Sequence, residues 1–291
     1  MKHSLHDVLI LVPLTDDGKI VLKQALYLQK SLSFRIFVLN VIPPLPVLKR
    51  LFGSGKIKES KDQALKNLTA FVKDFFEGKI PANVIPKVMT GNLAATLIKQ
   101  ARSGDFYFMI LKRSTNQKGI PNLLDQGEID QIIGHSFCPV LTINEDSTPE
   151  NLKSILIPID ISENTDKKLL WASMFARKTK AKIHIISALN INIDEQKSLA
   201  AKNAERIKSM LLERGIKCEV EVLKVHNQVK QELVLNYIET NKPEMVIIRK
   251  HHIASYANTT IGDFAKEIIH GSAVPVFTVS QSQSDIANIL P

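Results

Sequence analysis

Cysteine and tryptophan are scarce in this chain of 291 residues, which contains two cysteines and one tryptophan. Cys138 and Cys218 lie far apart in the sequence, and no Cys-x-x-Cys pair occurs. Neither a disulfide framework nor a cysteine-ligated zinc site is therefore indicated. Because this cysteine usage is typical of a reducing compartment, we expect a cytoplasmic protein.

Long hydrophobic runs are also missing. The longest stretches, such as residues 8–14, are far shorter than the roughly 18 residues that a membrane span needs, so we expect no membrane segment. Pro13, Asp16 and Asp17 interrupt the N-terminal stretch before any cleavage site, which favours a strand over a signal peptide. A hydrophobic content of 44% and this length predict a globular chain of two domains.

Acidic residues are outnumbered: 29 Asp and Glu stand against 38 Lys and Arg, giving a formal net charge of +9. Such an excess would attract nucleic acid or an acidic membrane surface. The densest basic stretch, residues 49–66, has neither a recognition-helix pattern nor interleaved aromatic residues. We interpret it as a solvated helix face and do not expect nucleic-acid binding.

The chain is a repeat of itself. Residues 10–14, Ile-Leu-Val-Pro-Leu, match residues 155–159, Ile-Leu-Ile-Pro-Ile, and residues 37–41 align with residues 184–188. Near the end of each half an Ile-Ile pair precedes an x-Pro-Val-x-Thr segment, at residues 138–142 and 274–278. The pattern predicts two copies of one unit.

Within each copy, short apolar runs without alternation are separated by amphipathic stretches. This is typical of a parallel sheet with crossover helices. We predict an α/β fold of two repeated doubly wound domains, each a five-stranded parallel sheet with helices on both faces. The first domain covers residues 1–146 and the second residues 152–281, with a mobile tail at residues 282–291. A polar, proline-containing linker joins the domains.

The predicted elements have approximate bounds. In the first copy, strands are expected near residues 7–14, 35–41, 83–89, 106–112 and 139–144, and helices near residues 18–32, 58–77, 92–103 and 125–135. In the second, strands are expected near residues 154–160, 182–188, 217–225, 244–250 and 275–280, and helices near residues 165–179, 194–214, 228–241 and 260–270. Residues 43–58 are predicted to form a loop.

The two halves, with first strands containing Val-Pro or Ile-Pro and last strands opening with x-Pro-Val, resemble the universal stress protein family in its tandem form. Residues 155–163, Ile-Leu-Ile-Pro-Ile-Asp-Ile-Ser-Glu, look like the family's first strand. Residues 88–94, Val-Met-Thr-Gly-Asn-Leu-Ala, look like its third strand and glycine turn. The resemblance covers residues 5–281. It implies a flavodoxin-like strand order and an adenine nucleotide at the switch point, where open α/β sheets generally bind ligands.

In nucleotide-binding members of the family, the loop after the fourth strand reads Gly-x2-Gly-x9-Gly-Ser/Thr, so that backbone N–H groups approach the phosphates. Counting back from Pro275 gives the second-domain residues at these four positions, which are Arg249, His252, Gly262 and Asp263. Further candidate nucleotide-binding residues are Pro158, Asp160 and Ala188. The resemblance implies that Asp160 contacts the adenosine moiety. We interpret the second-domain site as degenerate.

The first domain departs further from this pattern. The same count from Pro139 gives its four motif residues, which are Arg113, Asn116, Gln126 and Gly127. Thr15 replaces the first-strand Asp, and residues 112–124 leave room for an insertion. We expect no family-like nucleotide site in this domain.

Basic side chains nevertheless keep both switch points positive. The anion-binding candidates beside Arg249 are Lys112, Arg113 and Lys250. Cationic side chains bind anions without the help of glycines. The alternative is that a solvated loop simply tolerates basic residues.

Metal binding and catalysis have weaker support. Asp160 and Asp263 would hold magnesium if they converge, whereas the simpler interpretation makes Asp263 a helix-start carboxylate. His251 and His252 are adjacent, so a strand would point them to opposite faces, and we expect no metal site. No strand end offers a nucleophile elbow or paired acids, so no enzyme is predicted, with slow ATP hydrolysis as the remaining alternative.

The sequence thus predicts a cytoplasmic stress-response protein that acts by binding and regulation, with no certain cofactor. One alternative is a protein that binds ATP or AMP, with magnesium, in the second domain only. Another is a basic scaffold for acidic partners. The expected partners are an unknown protein and a second copy of the chain. The last strands are expected to pair the domains as a pseudo-dimer, or two chains as a homodimer, because edge strands seek partners.

Overall fold

A computed structural model of the chain describes residues 6–44, 54–103, 105–114, 120–144, 151–159, 166–190, 199–225, 229–251 and 260–280. The chain divides into two compact units, Met1–Thr148 and Pro149–Pro291. The predicted tail at residues 282–291 lies outside the described residues.

The described part of the first unit contains five strands and four helices. The strands are β1 (Asp7–Leu11), β2 (Arg35–Ile42), β3 (Val84–Thr90), β4 (Phe108–Lys112) and β5 (Val140–Ile143). The helices are α1 (Asp16–Leu32), α2 (Ser54–Phe75), α3 (Leu93–Arg102) and α4 (Gln126–His135). The strands are parallel in the order β3-β2-β1-β4-β5.

The second unit repeats this architecture. Its strands are β6 (Ser154–Ile159), β7 (Lys182–Asn190), β8 (Cys218–Val225), β9 (Met245–Arg249) and β10 (Val276–Val279). Its described helices are α5 (Asp166–Thr179), α6 (Leu199–Glu213), α7 (Lys230–Asn241) and α8 (Asp263–Gly271). The parallel order β8-β7-β6-β9-β10 matches that of the first unit. The predicted fold class is confirmed.

Burial on both faces explains why apolar and polar residues do not alternate along the central strands. Every residue of β4 is buried, as is β1 after its first residue, because doubly wound units cover both faces of their central strands. In the second unit the lone tryptophan, Trp171 on α5, is 1% exposed. Its ring lies 4.9 Å from that of Phe277, and the Phe175 ring lies 5.2 Å from Phe277. These aromatic rings hold α5 against the sheet.

The start of α2 corrects one sequence prediction. Residues 54–58 were predicted to belong to a loop, but they form the first turn of the helix Ser54–Phe75. The glycines at positions 53 and 55 suggest a turn locally, whereas the helix that follows extends through Gly55. The rest of the predicted loop after Pro44, residues 45–53, lies outside the described residues.

The strand registers correct the alignment of the two copies. Leu9 pairs with Phe37 on β2, and Leu156 pairs with His184 on β7. Because residues 37–41 align with residues 184–188, this pairing makes Leu9 correspond to Leu156, two residues away from the alignment that superposes the Ile-Leu-x-Pro runs. A shift by two leaves every side chain on the same face of a strand, so hydrophobic pattern does not detect it. Pro13, and not Thr15, consequently takes the sequence position of Asp160.

Candidate functional site

Each unit has a switch point beside its first strand. In the first unit β2 lies on one side of β1 and β4 on the other, and β6 lies likewise between β7 and β9. The connections that leave the carboxyl ends of such neighbours diverge to opposite faces and open a crevice. The residues that follow β4 and β9 are therefore the natural candidates for ligand contact.

The registers also fix which residues correspond across these two connections. Met109 pairs with Val140, and Val246 pairs with Val276, so Lys112 corresponds to Arg249. Counting back from the prolines had instead placed Arg113 opposite Arg249, which is wrong by one residue. The connections, residues 113–125 and 250–262, are equally long, so the first one contains no insertion. The N-cap of α4, Asp125, corresponds to the N-cap of α8, Gly262. Gln126, which the count from the prolines matched to Gly262, is therefore also displaced by one residue.

In the first unit an ion pair occupies the end of β4. The Lys112 Nζ lies 2.9 Å from Asp17 Oδ1 in the first turn of α1, and the two side chains are 2% and 18% exposed. The neighbouring Arg113 is buried as well, and burial lowers the pKa of its guanidinium. Lys112, a predicted anion-binding residue, is therefore already paired with the carboxylate of Asp17.

A side-chain amide fills the adjoining end of β2. Asn122 Oδ1 accepts a hydrogen bond from the Val41 N–H at 2.6 Å, and Asn122 Nδ2 donates to the Val41 carbonyl at 3.1 Å. Val41 extends past the end of β1, whose last paired residue, Leu11, lies opposite Leu39. By register Val41 corresponds to Ala188, one of the predicted nucleotide-binding residues. Its backbone is taken by Asn122, which is 5% exposed.

The start of α4 is closed by its own carboxylates. Asp125 Oδ1 accepts from the Glu128 N–H at 2.8 Å, and Glu128 Oε2 accepts from the Asp125 N–H at 3.1 Å. This capping box satisfies two helix-start N–H groups and places two negative charges where an anion would approach. All three features border the switch point of the first unit. The ion pair joins the end of β4 to α1, and the Asn122 amide and the capping box lie where the chain passes from β4 to α4.

Close backbone approach tightens the same region. A Cβ atom at Gly18, in the first turn of α1, would lie 2.0 Å from the Pro13 carbonyl oxygen and 2.8 Å from Val12 Cγ1. Glycine is therefore required for α1 to start against the loop that follows β1. This start also positions Asp17 for its ion pair with Lys112.

The second unit differs, because a cavity of about 110 Å³ opens at its switch point. It is bordered by residues of β6, β7, β8 and β9 and of α5, α7 and α8. Five of the predicted site residues line it, namely Pro158, Arg249, Lys250, Gly262 and Asp263. Asp160 and His252 lie outside the described residues. Ala188 pairs with Leu223, which is itself a lining residue.

Sequence reasoning missed two cations of this cavity, Lys168 and Lys230. The Lys168 side chain is 2% exposed, and its Nζ donates to the Pro158 carbonyl at 2.5 Å. A signal was present, because Lys167 and Lys168 stand in the first turn of α5, where the helix dipole disfavours positive charge. Missed apolar lining residues, including Ile186, Leu223 and Phe264, come from three separate elements.

The cavity is strongly cationic. Lys168, Lys230, Arg249 and Lys250 line it, whereas Asp263 is the one carboxylate among the described lining residues. Outside the lining, burial and the charge of Arg249 lower the pKa of Lys167. Positive groups are thus concentrated enough to affect one another. The arrangement suits a ligand with an anionic group and an apolar body.

Residues 151–280 match the family model of the Universal stress protein family. The second domain belongs to the universal stress protein family. The predicted resemblance to this family is thereby confirmed, and solved structures with the same fold are similar to nearly the whole chain. No curated protein matches the sequence.

Three such structures illustrate the likeness of the fold. A universal stress protein from Archaeoglobus fulgidus DSM 4304 is 18% identical, with 94% of this chain and 98% of that chain covered and a TM-score of 0.69. A putative universal stress protein from Pseudomonas aeruginosa UCBPP-PA14 is 16% identical, with coverages of 98% and 96% and a TM-score of 0.62. The cytoplasmic domain of a prokaryotic cation chloride cotransporter is 13% identical, with coverages of 99% and 100% and a TM-score of 0.55.

Metal-ligating clusters and membrane spans concern the described residues of both units. Neither contains a described group of three or more His, Cys, Asp and Glu residues placed to hold a metal ion. Among the described helices, none combines the length and the apolarity of a membrane span.

Proposed function

We propose that this chain is a stress-response binding protein whose second domain holds one anionic small molecule, while its first domain holds none. The observation that carries the proposal is the contrast between two equivalent positions. Arg249 lines a cationic cavity, whereas Lys112 is engaged by Asp17. Among the described residues, the second unit therefore has a cavity at its switch point, whereas a buried ion pair lies at the equivalent position of the first unit.

An adenine nucleotide is the proposed ligand. The cavity combines apolar walls, which suit a base, with cations, which suit phosphate oxygens. The match of residues 151–280 to the universal stress protein family supports this choice. Side-chain cations would then do what glycine backbone N–H groups do in the family's loop, which explains why Arg249 is compatible with binding.

Binding without turnover is part of the proposal, as is a regulatory role through a protein partner. An occupied cavity would change the contacts of Arg249 and of the start of α8, and a partner would respond to that difference. Pairing through the last strands, by a pseudo-dimer or a homodimer, stays a prediction. The second candidate function, a basic scaffold for acidic proteins, rests on the net charge of +9.

The proposal is tested by calorimetric titration of the full chain with ATP. We expect one site per chain. Arg249→Ala should weaken binding by 10-fold or more, since a charge-assisted hydrogen bond contributes about 1.5–3 kcal/mol. The matched control is Arg206→Ala, which removes the same charge from an exposed position on α6 and should leave the affinity within about twofold. Equal affinity of wild type and Arg249→Ala would contradict the proposal, as would the absence of any heat.

A further inference from the structure

A groove of about 560 Å³ lies on the first unit, between α3 and α4. It is lined by Ala95, Ile98, Lys99 and Arg102 of α3, by Ser103 just after that helix, and by Gln131 of α4. The four α3 residues follow the spacing i, i+3, i+4 and i+7, so they form one stripe of the helix. At the rise of an α-helix this stripe is about 10 Å long, which is two turns.

The two cations of this groove are available for a ligand. Lys99 and Arg102 are exposed, and neither forms an ion pair with a described residue. The lining contains no carboxylate, since Asp105 and Asp130 lie outside it. The Arg102 guanidinium lies 4.7 Å from the centroid of the Phe137 ring, which is 40% exposed. This cation–π contact holds the guanidinium in place, so less side-chain freedom is lost when it binds a carboxylate.

Helix α7 of the second unit is the counterpart of α3. Each helix has a buried pair four residues apart, which are Leu97 and Ala101 in α3 and Val234 and Ile238 in α7. The two pairs are related by the same sequence offset that relates β4 to β9. At this offset Asn236 and Glu239 take the positions of the two groove cations. The positive charge of the stripe is therefore particular to the first unit.

Contacts between α7 and α8 fill the corresponding space of the second unit. Gln231 Nε2 donates a hydrogen bond to Glu267 Oε1 at 3.2 Å, which joins the two helices. Leu235 lies so close to α8 that a Cβ atom at Gly271 would come within 2.9 Å of its Cδ1. The fold itself therefore does not require a groove between these helices, and the described residues of the first unit keep one that is cationic.

We propose that this groove binds an acidic, amphipathic segment of a partner protein, about two helical turns long. Its carboxylates pair with Lys99 and Arg102, and its apolar side chains pack on Ala95, Ile98 and Phe137. A concave groove favours a peptide over a membrane surface, into which an apolar face must insert. Because Phe137 is the one exposed aromatic ring among the described residues, a peptide is also favoured over a nucleic-acid strand, which stacks on successive rings. The inference concerns the first unit and does not depend on nucleotide binding in the second.

The first test measures the fluorescence anisotropy of a labelled peptide that repeats Glu-Leu-Glu-Glu three times, titrated with the full chain. We expect the double variant Lys99→Gln with Arg102→Gln to bind about fivefold more weakly or worse, since each exposed cation contributes modestly. The matched control is Lys23→Gln with Lys30→Gln, which removes the same charge from exposed positions of α1 and should leave the affinity within about twofold. Equal affinity of the two double variants would overturn the proposal. So would equal affinity of the wild type for a neutral peptide that repeats Gln-Leu-Gln-Gln.

The second test blocks the groove and leaves its charges in place. Ala95 is exposed, so Ala95→Phe should unfold at nearly the same urea concentration as the wild type while its ring occupies the groove. We expect this variant to bind the acidic peptide about fivefold more weakly or worse, and the control Ala95→Ser to bind it as the wild type does. Undiminished binding to Ala95→Phe would show that surface charge alone attracts the peptide, and would overturn the groove. Displacement of the peptide by phosphatidylserine vesicles or single-stranded RNA at lower concentrations than by unlabelled peptide would also overturn the proposal.

Discussion

Replacing Asn122 tests the closure of the first switch point most directly. Its amide makes two buried hydrogen bonds to the backbone of Val41, and each contributes about 1 kcal/mol net to stability. Asn122→Gly should therefore cost the first unit about 2 kcal/mol. Asn122 has a φ of +62°, a conformation that Gly and Asn adopt readily but that costs other residues, Ala included, about 1 kcal/mol or more. Asn122→Ala should accordingly cost about 3 kcal/mol, and the two variants separate the hydrogen bonds from the strain.

Hydrogen exchange measured by mass spectrometry assigns this loss to one unit. Peptides that cover β2 report the first unit and peptides that cover β7 report the second, since local opening is measured segment by segment. We expect faster exchange across β2, most of all at the Val41 N–H, and unchanged exchange across β7. The control is Asn241→Ala, which removes one exposed side-chain bond to the Tyr237 carbonyl and should cost less than about 0.5 kcal/mol. If β2 exchanged as slowly in the Asn122→Gly variant as in the wild type, the conclusion that the amide closes the switch point would be refuted.

Two further changes have clear expected results. Gly18→Ala would bring a Cβ atom to 2.0 Å from a backbone oxygen, so we expect urea unfolding to show a loss of about 3 kcal/mol in stability. In Gly127→Ala the nearest contact of the new Cβ atom would be 3.4 Å away, so this control variant should be neutral or slightly stabilising. Equal stability of the two variants would contradict the packing argument. Burial and the charge of Lys182 lower the pKa of His184, so the unfolded state binds the proton more tightly and the second unit should lose stability as the pH falls below about 6.5. His184→Gln should flatten that pH dependence, measured by the fluorescence of Trp171 during urea unfolding, and an unchanged slope would refute the assignment.

The fold was predictable because its signal is local. Unalternating apolar runs such as those of β1 and β4 indicate strands buried on both faces, and the repeat of these runs indicates two copies. The alignment error at Pro13 has an equally physical cause: a slip of two residues preserves the inward and outward pattern of a strand. Only the hydrogen-bonded register removes that ambiguity.

The candidate site was predictable in part. Arg249, Lys250 and Asp263 follow strand ends or begin a helix, so chain position alone indicates that they belong to the switch point. The hydrogen bonds of Asn122 to Val41 span 81 positions in the sequence, and no local sequence pattern predicts such a contact. Lys168 was missed because a lysine in a helix is ordinarily solvated, whereas here the ammonium group turns inward to a strand carbonyl.

The equal length of the connections after β4 and β9 bears on how the two copies diverged. Residues 113–125 and 250–262 span the same number of positions between equivalent strands and helices, so the two connections differ in amino-acid identity and not in length. In a duplicated chain one copy is free to keep a ligand, as we propose for the second unit, while the other acquires side chains that satisfy its backbone from within, as Asn122 does for Val41. We therefore expect a chimaera that carries the second connection in both halves to keep the register of both sheets.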